Sequence, residues 1–241
     1  MARVPKDGSK PQAKSRPPVL VVAAHPDDEV LGCGGSMARL ADEGAAVHVH
    51  FLADGVGARG RAAGPDAKTL KARRGAALKA CDILGAASVT FGDFPDNRLD
   101  GVALLEIIRQ VEARMEAVRP GVVFTHHAGD LNIDHRRVHD AVVTACRPHP
   151  AQSARTLLFF ELPSSTEWQT PGSGASFAPT WFVDVSKTLA RKIEALKAYR
   201  MELRPWPHAR SLEAVTHLAR WRGAGVGVEA AEAFVLGRTI L

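Results

Sequence analysis

His25, Asp27, Asp28 and Glu29 crowd into the five residues HPDDE, directly behind the apolar run PVLVVAA and ahead of a glycine-rich GCGGS. Carboxylates this close raise one another's pKa, so the cluster costs free energy unless a cation or solvent offsets it. His25 and Asp28, three apart in a turn behind a strand, can face one point, and a later histidine would complete a three-ligand site. His135, in DLNIDHRRVH, is the natural candidate. Two imidazoles and a carboxylate suit Zn²⁺ and leave a fourth position for water, as in catalytic zinc sites; the same donors accept Fe²⁺ or Co²⁺. A bound metal lowers the pKa of that water toward about 7 and polarises a neighbouring carbonyl. Asp27, beside a ligand without being needed as one, would then be a general base, and the chemistry is metal-assisted hydrolysis. HPDD also fits a Pro-containing turn in which Asp28 caps the helix that follows, and spacing alone leaves both readings open.

The frame around these residues alternates apolar runs of strand length with amphipathic runs of helix length, the pattern of βαβ units on a parallel sheet. Strands are expected at 18–24, 47–53, 88–92, 121–126, 156–162 and 180–186, and helices at about 34–43, 66–84, 102–118 and 136–146. Residues 102–118 place Leu104, Ile107, Ile108, Val111 and Met115 on one stripe, as a sheet-covering helix does. After Pro163 come a polar loop, the strand at 180–186, a helix from Lys187 to about Met201, the segment WPHARS and a further helix. The expected fold is α/β: a Rossmann-like three-layer sandwich with a mostly parallel sheet and a smaller C-terminal α/β portion. Open parallel sheets bind ligands beyond the carboxyl ends of their strands. HPDDE, ADGVGARG, DFPDN and HHAGDLNIDH all fall at such ends.

The net charge of +5 over 241 residues is concentrated in residues 1–16, which hold Arg3, Lys6, Lys10, Lys14 and Arg16 against Asp7 alone. That segment reads as a disordered basic tail, and 17–241 as one nearly neutral domain with no reason to bind nucleic acid. No apolar run reaches the roughly 20 residues of a membrane span, and VLVVAA is too short for a secretory signal, so no stable membrane anchoring is expected. Cys33, Cys81 and Cys146 match neither a disulfide framework nor a CxxC site, which suits a reducing cytoplasm. A homo-oligomer is compatible with the sequence.

AHPDDE at the end of a first strand, followed by GCGGSMARLADEG, a second strand, a DH pair behind strand 4, LGA at 84–86 and GVGVEAAEAF at 225–234, resembles the LmbE-like, or PIG-L, zinc-dependent N-deacetylases. The resemblance implies His25, Asp28 and His135 as zinc ligands and Asp27 as general base. It implies removal of the acetyl group from an N-acetylglucosamine-type sugar in a small conjugate, glycolipid precursor or antibiotic, with metal-bound water as nucleophile. Many members carry a histidine three residues before the third ligand; here that residue is Asn132, whose amide donates a hydrogen bond but cannot be a general acid. Either Asp27 handles both proton transfers, with oxyanion help from Asn132, or His126 or His127 takes the second role. Asp134 is expected to orient a neighbour.

Arg59, Arg73 and His127 are candidates to contact substrate, and Trp168, Trp206 and His208 to line a sugar-sized cleft or simply to pack. Glu29 is expected to support the turn, and His48, His50 and His139 to be structural. The glycines 32, 34 and 35 lack the third glycine of a dinucleotide loop, so no organic cofactor is expected. An amidase for another acyl group or a thiol conjugate, and a non-catalytic sugar- or nucleotide-binding module, are the competing readings.

Overall fold

The computed structural model describes residues 16–57, 67–148 and 154–241. Arg59 and all of the basic tail but Arg16 lie outside them. The elements are β1 (Val19–Ala23), α1 (Asp28–Asp42), β2 (Val47–Ala53), α2 (Ala67–Leu84), β3 (Ser88–Phe94), α3 (Leu104–Val118), β4 (Val122–His126), α4 (Ile133–Ala145), β5 (Thr156–Phe160), β6 (Trp181–Asp184), α5 (Leu189–Ala198), α6 (Leu212–Ala224) and β7 (Ala231–Thr239). They form one seven-stranded sheet in the order β3-β2-β1-β4-β5-β7-β6. The first five strands are parallel, and β7 runs antiparallel to both β5 and β6. The expected α/β architecture is present, and the C-terminal portion extends the same sheet.

Alternation along the buried strands assigns the two faces. Val19, Val21 and Ala23 of β1 pack with α1, α2, α5 and Val215 of α6, whereas Leu20 and Val22 pack with α3 and α4. The predicted stripe of α3 supplies Ile107, Ile108, Val111 and Met115 to that second layer. Strand order reverses between β1 and β4, so the carboxyl ends of these two neighbours diverge into a crevice, where doubly wound sheets hold ligands. HPDDE leaves β1 and HHAGDLNIDH leaves β4 on either side of it.

Three differences from the sequence reading are informative. Helix α1 begins at Asp28 rather than near residue 34, and it is broken at Cys33, where φ is −147°. Its glycines allow close approach: a Cβ on Gly32 would stand 2.4 Å from the Phe160 ring of β5. The broken second half begins with its own unsatisfied N–H groups, and Glu232 accepts from the backbone N of Gly35 (2.9 Å) and Ser36 (2.7 Å). Buried Lys192 completes the arrangement, donating to Glu232 Oε1 at 2.6 Å and to the Leu31 carbonyl at 2.9 Å. Helix α4 starts at Ile133 rather than 136 because Asn132 caps it, Oδ1 accepting from the Asp134 N–H at 2.8 Å. Finally, residues 231–239, where the sequence pattern marks no strand, form β7.

Candidate metal centre

The first loop is turned by backbone geometry that few residues tolerate. Asp28 N–H bonds back to the His25 carbonyl at 3.2 Å, and Asp27 sits at φ 111°, a left-handed value uncommon outside glycine. Glu29 holds the turn: one carboxyl oxygen accepts from the Asp27 N–H (3.0 Å) and the other from the Tyr199 hydroxyl (2.6 Å). Burial pushes the Glu29 carboxyl up to about 8, so this support is largely neutral at pH 7.

Across the crevice, His25, Asp28 and His135 present ligand atoms within 4.8 Å of one another, all buried. His25 Nδ1 lies 3.3 Å and His135 Nε2 3.4 Å from the same oxygen, Asp28 Oδ2. The far nitrogen of each imidazole is held by carboxylates. His25 Nε2 faces Asp134 at 2.9 Å and Asp96 at 3.1 Å, and His135 Nδ1 faces Asp130 at 3.0 Å. Such outer carboxylates fix which ring nitrogen is free to ligate. Asp134 is itself fixed by the N–H groups of Asn97 (2.7 Å) and Leu99 (2.9 Å), and Asp130 by Ser165 Oγ and Thr166 Oγ1.

The donor set fits a divalent metal. His135 Nε2 and Asp28 Oδ1 are buried polar atoms without a hydrogen-bond partner, an arrangement that costs free energy unless a further group meets them. Burial alone would lower the His135 pKa, but Asp28 and Asp130 raise it to about 9. Asp134, Asp28 and Asp96 outweigh burial at His25 in the same way, and the two histidines hold Asp28 well below the usual carboxylate range despite its burial. Because an entering ion must displace those protons, metal uptake at pH 7 is expected to release at least about one proton per ion and to tighten as pH rises toward about 9. Calorimetry in buffers of different ionisation enthalpy measures this; a heat independent of buffer would contradict it.

The Asp27 carboxyl has partners of its own. Its Oδ2 accepts from Arg210 Nη1 at 3.0 Å and faces Arg73 Nη2 at 3.3 Å. Burial raises its pKa, and the two guanidinium groups oppose that rise. Arg73 therefore reaches the site, but bound at its other end to Glu202 at 2.5 Å. His126 accepts from the Ala24 N–H through Nε2 (2.9 Å) and stacks on His135; burial and the His135 charge keep it neutral. His127 donates Nε2–H to the Ala175 carbonyl (2.9 Å) and packs on Phe177. Asn132 caps α4 with Oδ1 and gives one of its two Nδ2 hydrogens to Asn97 Oδ1 (3.1 Å).

His139 bonds the His126 carbonyl, and His48 and His50 bond Ser88 and Thr90, so all three act within the framework. Trp168 is half exposed, its ring set T-shaped against that of His208. Asp96, Asp130 and Arg210 are site residues that no motif in the sequence marks individually. Asp130, five residues before His135 in GDLNIDH, was the most discoverable. Arg210 stands in a loop without periodicity.

The chain belongs to the PIG-L, or GlcNAc-PI de-N-acetylase, family, whose model matches residues 20–146. It is 30% identical over 196 residues to the uncharacterized deacetylase YaiS of Escherichia coli, a match covering 78% of this chain and 93% of that protein. It is 29% identical over 237 residues to a 1D-myo-inositol 2-acetamido-2-deoxy-alpha-D-glucopyranoside deacetylase of Actinosynnema mirum, covering 79% and 82%. Among solved structures it resembles GalB, the 4-carboxy-2-hydroxymuconate hydratase of Pseudomonas putida, with TM-score 0.75 and 26% identity over 93% of this chain and 98% of that one.

Proposed function

We propose that this chain is a metal-dependent hydrolase that removes the acetyl group from an N-acetylated amino sugar of N-acetylglucosamine type within a small conjugate, glycolipid precursor or antibiotic. The observation that carries the reading is the convergence of His25, Asp28 and His135, each imidazole braced by a carboxylate, beside the separately held Asp27. His25, Asp28 and His135 would hold the metal, zinc by preference and Fe²⁺ or Co²⁺ as substitutes. When bound, it supplies Lewis acidity toward the amide carbonyl and acidifies water. Asp27 takes the proton from the attacking water and returns it to the leaving amine. Asn132 is not a general acid, and the Nε2 atoms of His126 and His127 are engaged with the Ala24 N–H and the Ala175 carbonyl, so both transfers fall to Asp27 in this reading, with oxyanion help from Asn132.

Arg73 contacts Asp27 and is a candidate to meet the substrate, and His127 with Phe177 and Trp168 with His208 form candidate walls for the sugar or its conjugate. The buried free thiols Cys33, Cys81 and Cys146 support a reducing, cytoplasmic setting, and no described helix is long and apolar enough to cross a membrane.

The test is acetate release over a panel of N-acetyl sugars, sugar conjugates and glycosylated antibiotics. Other acyl amides and unsaturated carboxylates serve as competing substrates, the latter because one structural relative is named a hydratase. Acetate release from at least one N-acetyl sugar is expected, and His135→Ala is expected to lower bound metal from about one ion per chain to near zero and abolish turnover. Turnover of the other classes alone, or full activity in the metal-depleted variant, would overturn the reading.

A further inference from the structure

Two guanidinium groups reach Asp27, and they are not equivalent. Arg73 divides its charge between Asp27 at 3.3 Å and Glu202 at 2.5 Å. Arg210 gives Nη1 to Asp27 at 3.0 Å, and its Nε goes to an uncharged partner, Ser164 Oγ at 2.6 Å. Asp27 acts on its charge more than Asp28 or Glu202 does, and its contact is the closer of the two. Both contacts fall on Oδ2, which leaves Oδ1 as the oxygen to accept a proton.

The other end of the Arg210 fork is equally placed. Ser164 has φ 69° in the turn behind β5, and its neighbour Ser165 donates to Asp130, the carboxylate that holds His135 Nδ1. One short loop thus braces the third ligand through Ser165 and Arg210 through Ser164. Arg210 is anchored in turn, its N–H bonding His208 Nδ1 at 3.0 Å just before Ser211 caps α6 by accepting from Ala214 N–H at 3.0 Å. A planar guanidinium can span two such partners in fixed directions; an ammonium cannot.

We propose that Arg210, from a segment outside the family-matched residues 20–146, is a positioning residue that aims the Asp27 carboxylate by tying it to the loop that orients His135. It touches no reacting atom itself; it fixes the base relative to the ligand cluster. The inference rests on Asp27 as the base of the reaction proposed above.

The experiment compares wild type, Arg210→Met, Arg210→Lys, Asp27→Asn and the double variant Asp27→Asn/Arg210→Met, all loaded with Co²⁺ as well as tested for acetate release. Misplacing a catalytic group by about 1 Å costs on the order of 10²-fold, so Arg210→Met is expected to lower kcat by about that factor with KM within about twofold. Added guanidinium is expected to restore part of the loss, and Arg210→Lys to recover less than a tenth of it. The double variant should be no slower than Asp27→Asn alone, as befits residues acting as a unit. In the visible spectrum of the Co²⁺ protein, Arg210→Met and Asp27→Asn are expected to shift the same band, without further change when combined.

Unchanged kcat and an unchanged cobalt spectrum in folded Arg210→Met or Arg210→Lys would overturn the inference. So would a fall in thermal stability with neither readout altered, since that marks a purely structural ion pair. If no N-acetyl compound is turned over, the deacetylase reading fails, and the cobalt spectra still decide whether Arg210 positions Asp27.

Discussion

Asp27→Asn is expected to lower kcat for acetate release by about 10²–10⁴-fold, the range associated with loss of a positioned general base. Metal content and KM should be nearly unchanged, because the ion-pair partners of the Asp27 carboxyl are Arg73 and Arg210 rather than the three proposed ligands. Asparagine is the informative replacement. It tolerates the left-handed backbone at φ 111° better than most residues, and its carbonyl oxygen can still accept from Arg210. What it cannot do is carry a proton between water and amine. Steady-state kinetics together with metal analysis on one preparation make the comparison. Activity within tenfold of wild type would move the base elsewhere, and parallel loss of metal would make Asp27 a ligand.

The second large effect is on stability. Glu232→Gln is expected to destabilise the fold by about 3–5 kcal/mol, the range for removing one partner of a buried ion pair. At roughly 2–4 °C per kcal/mol for a chain of this length, the melting temperature should fall by roughly 10 °C. Lys192 Nζ would lose its carboxylate at 2.6 Å, and the Gly35 and Ser36 N–H groups would face an amide in place of a full negative charge at a helix start. Differential scanning calorimetry measures the loss. Lys192→Met combined with Glu232→Gln should cost less than the two single losses added, because an uncompensated buried charge is removed. A melting temperature within about 2 °C of wild type for Glu232→Gln would show that the pair is not a structural requirement.

That pair also explains where sequence reasoning stopped. Five parallel strands and the crevice residues were legible because buried strands write themselves as apolar runs and their polar ends are short. The start of α1 was not, because Gly32, Gly34 and Gly35 each lower local helix propensity by about 1 kcal/mol, and the compensation comes from Glu232, nearly two hundred residues away. Glycine is retained there because Gly32 must lie against Phe160. His25, Asp28 and His135 could be paired by spacing and resemblance. Asp96 and Asp130 could not be told from ordinary turn carboxylates until the ring nitrogens they hold were in view. Arg210 is a lone charge in WPHARS, and only the folded loops reveal what it meets.

The place of β7 bears on how the chain is made. Strand β7 is last in sequence, yet it lies between β5 and β6 and hydrogen-bonds to both. A chain emerging from the ribosome can assemble β1 through β5 by local crossovers, but β5 then keeps an open edge, and β6 has no partner within the sheet, until residues 231–239 arrive. During that interval the apolar β5 segment TLLFF borders an unpaired ladder, the condition in which nascent sheets recruit strands from neighbouring chains. Glu232 is delivered by the same late strand, so the broken half of α1 is capped only after β7 has been made. A truncation before β7 would therefore yield a chain with most of its crevice residues but an adhesive sheet edge, and aggregation would be its expected fate.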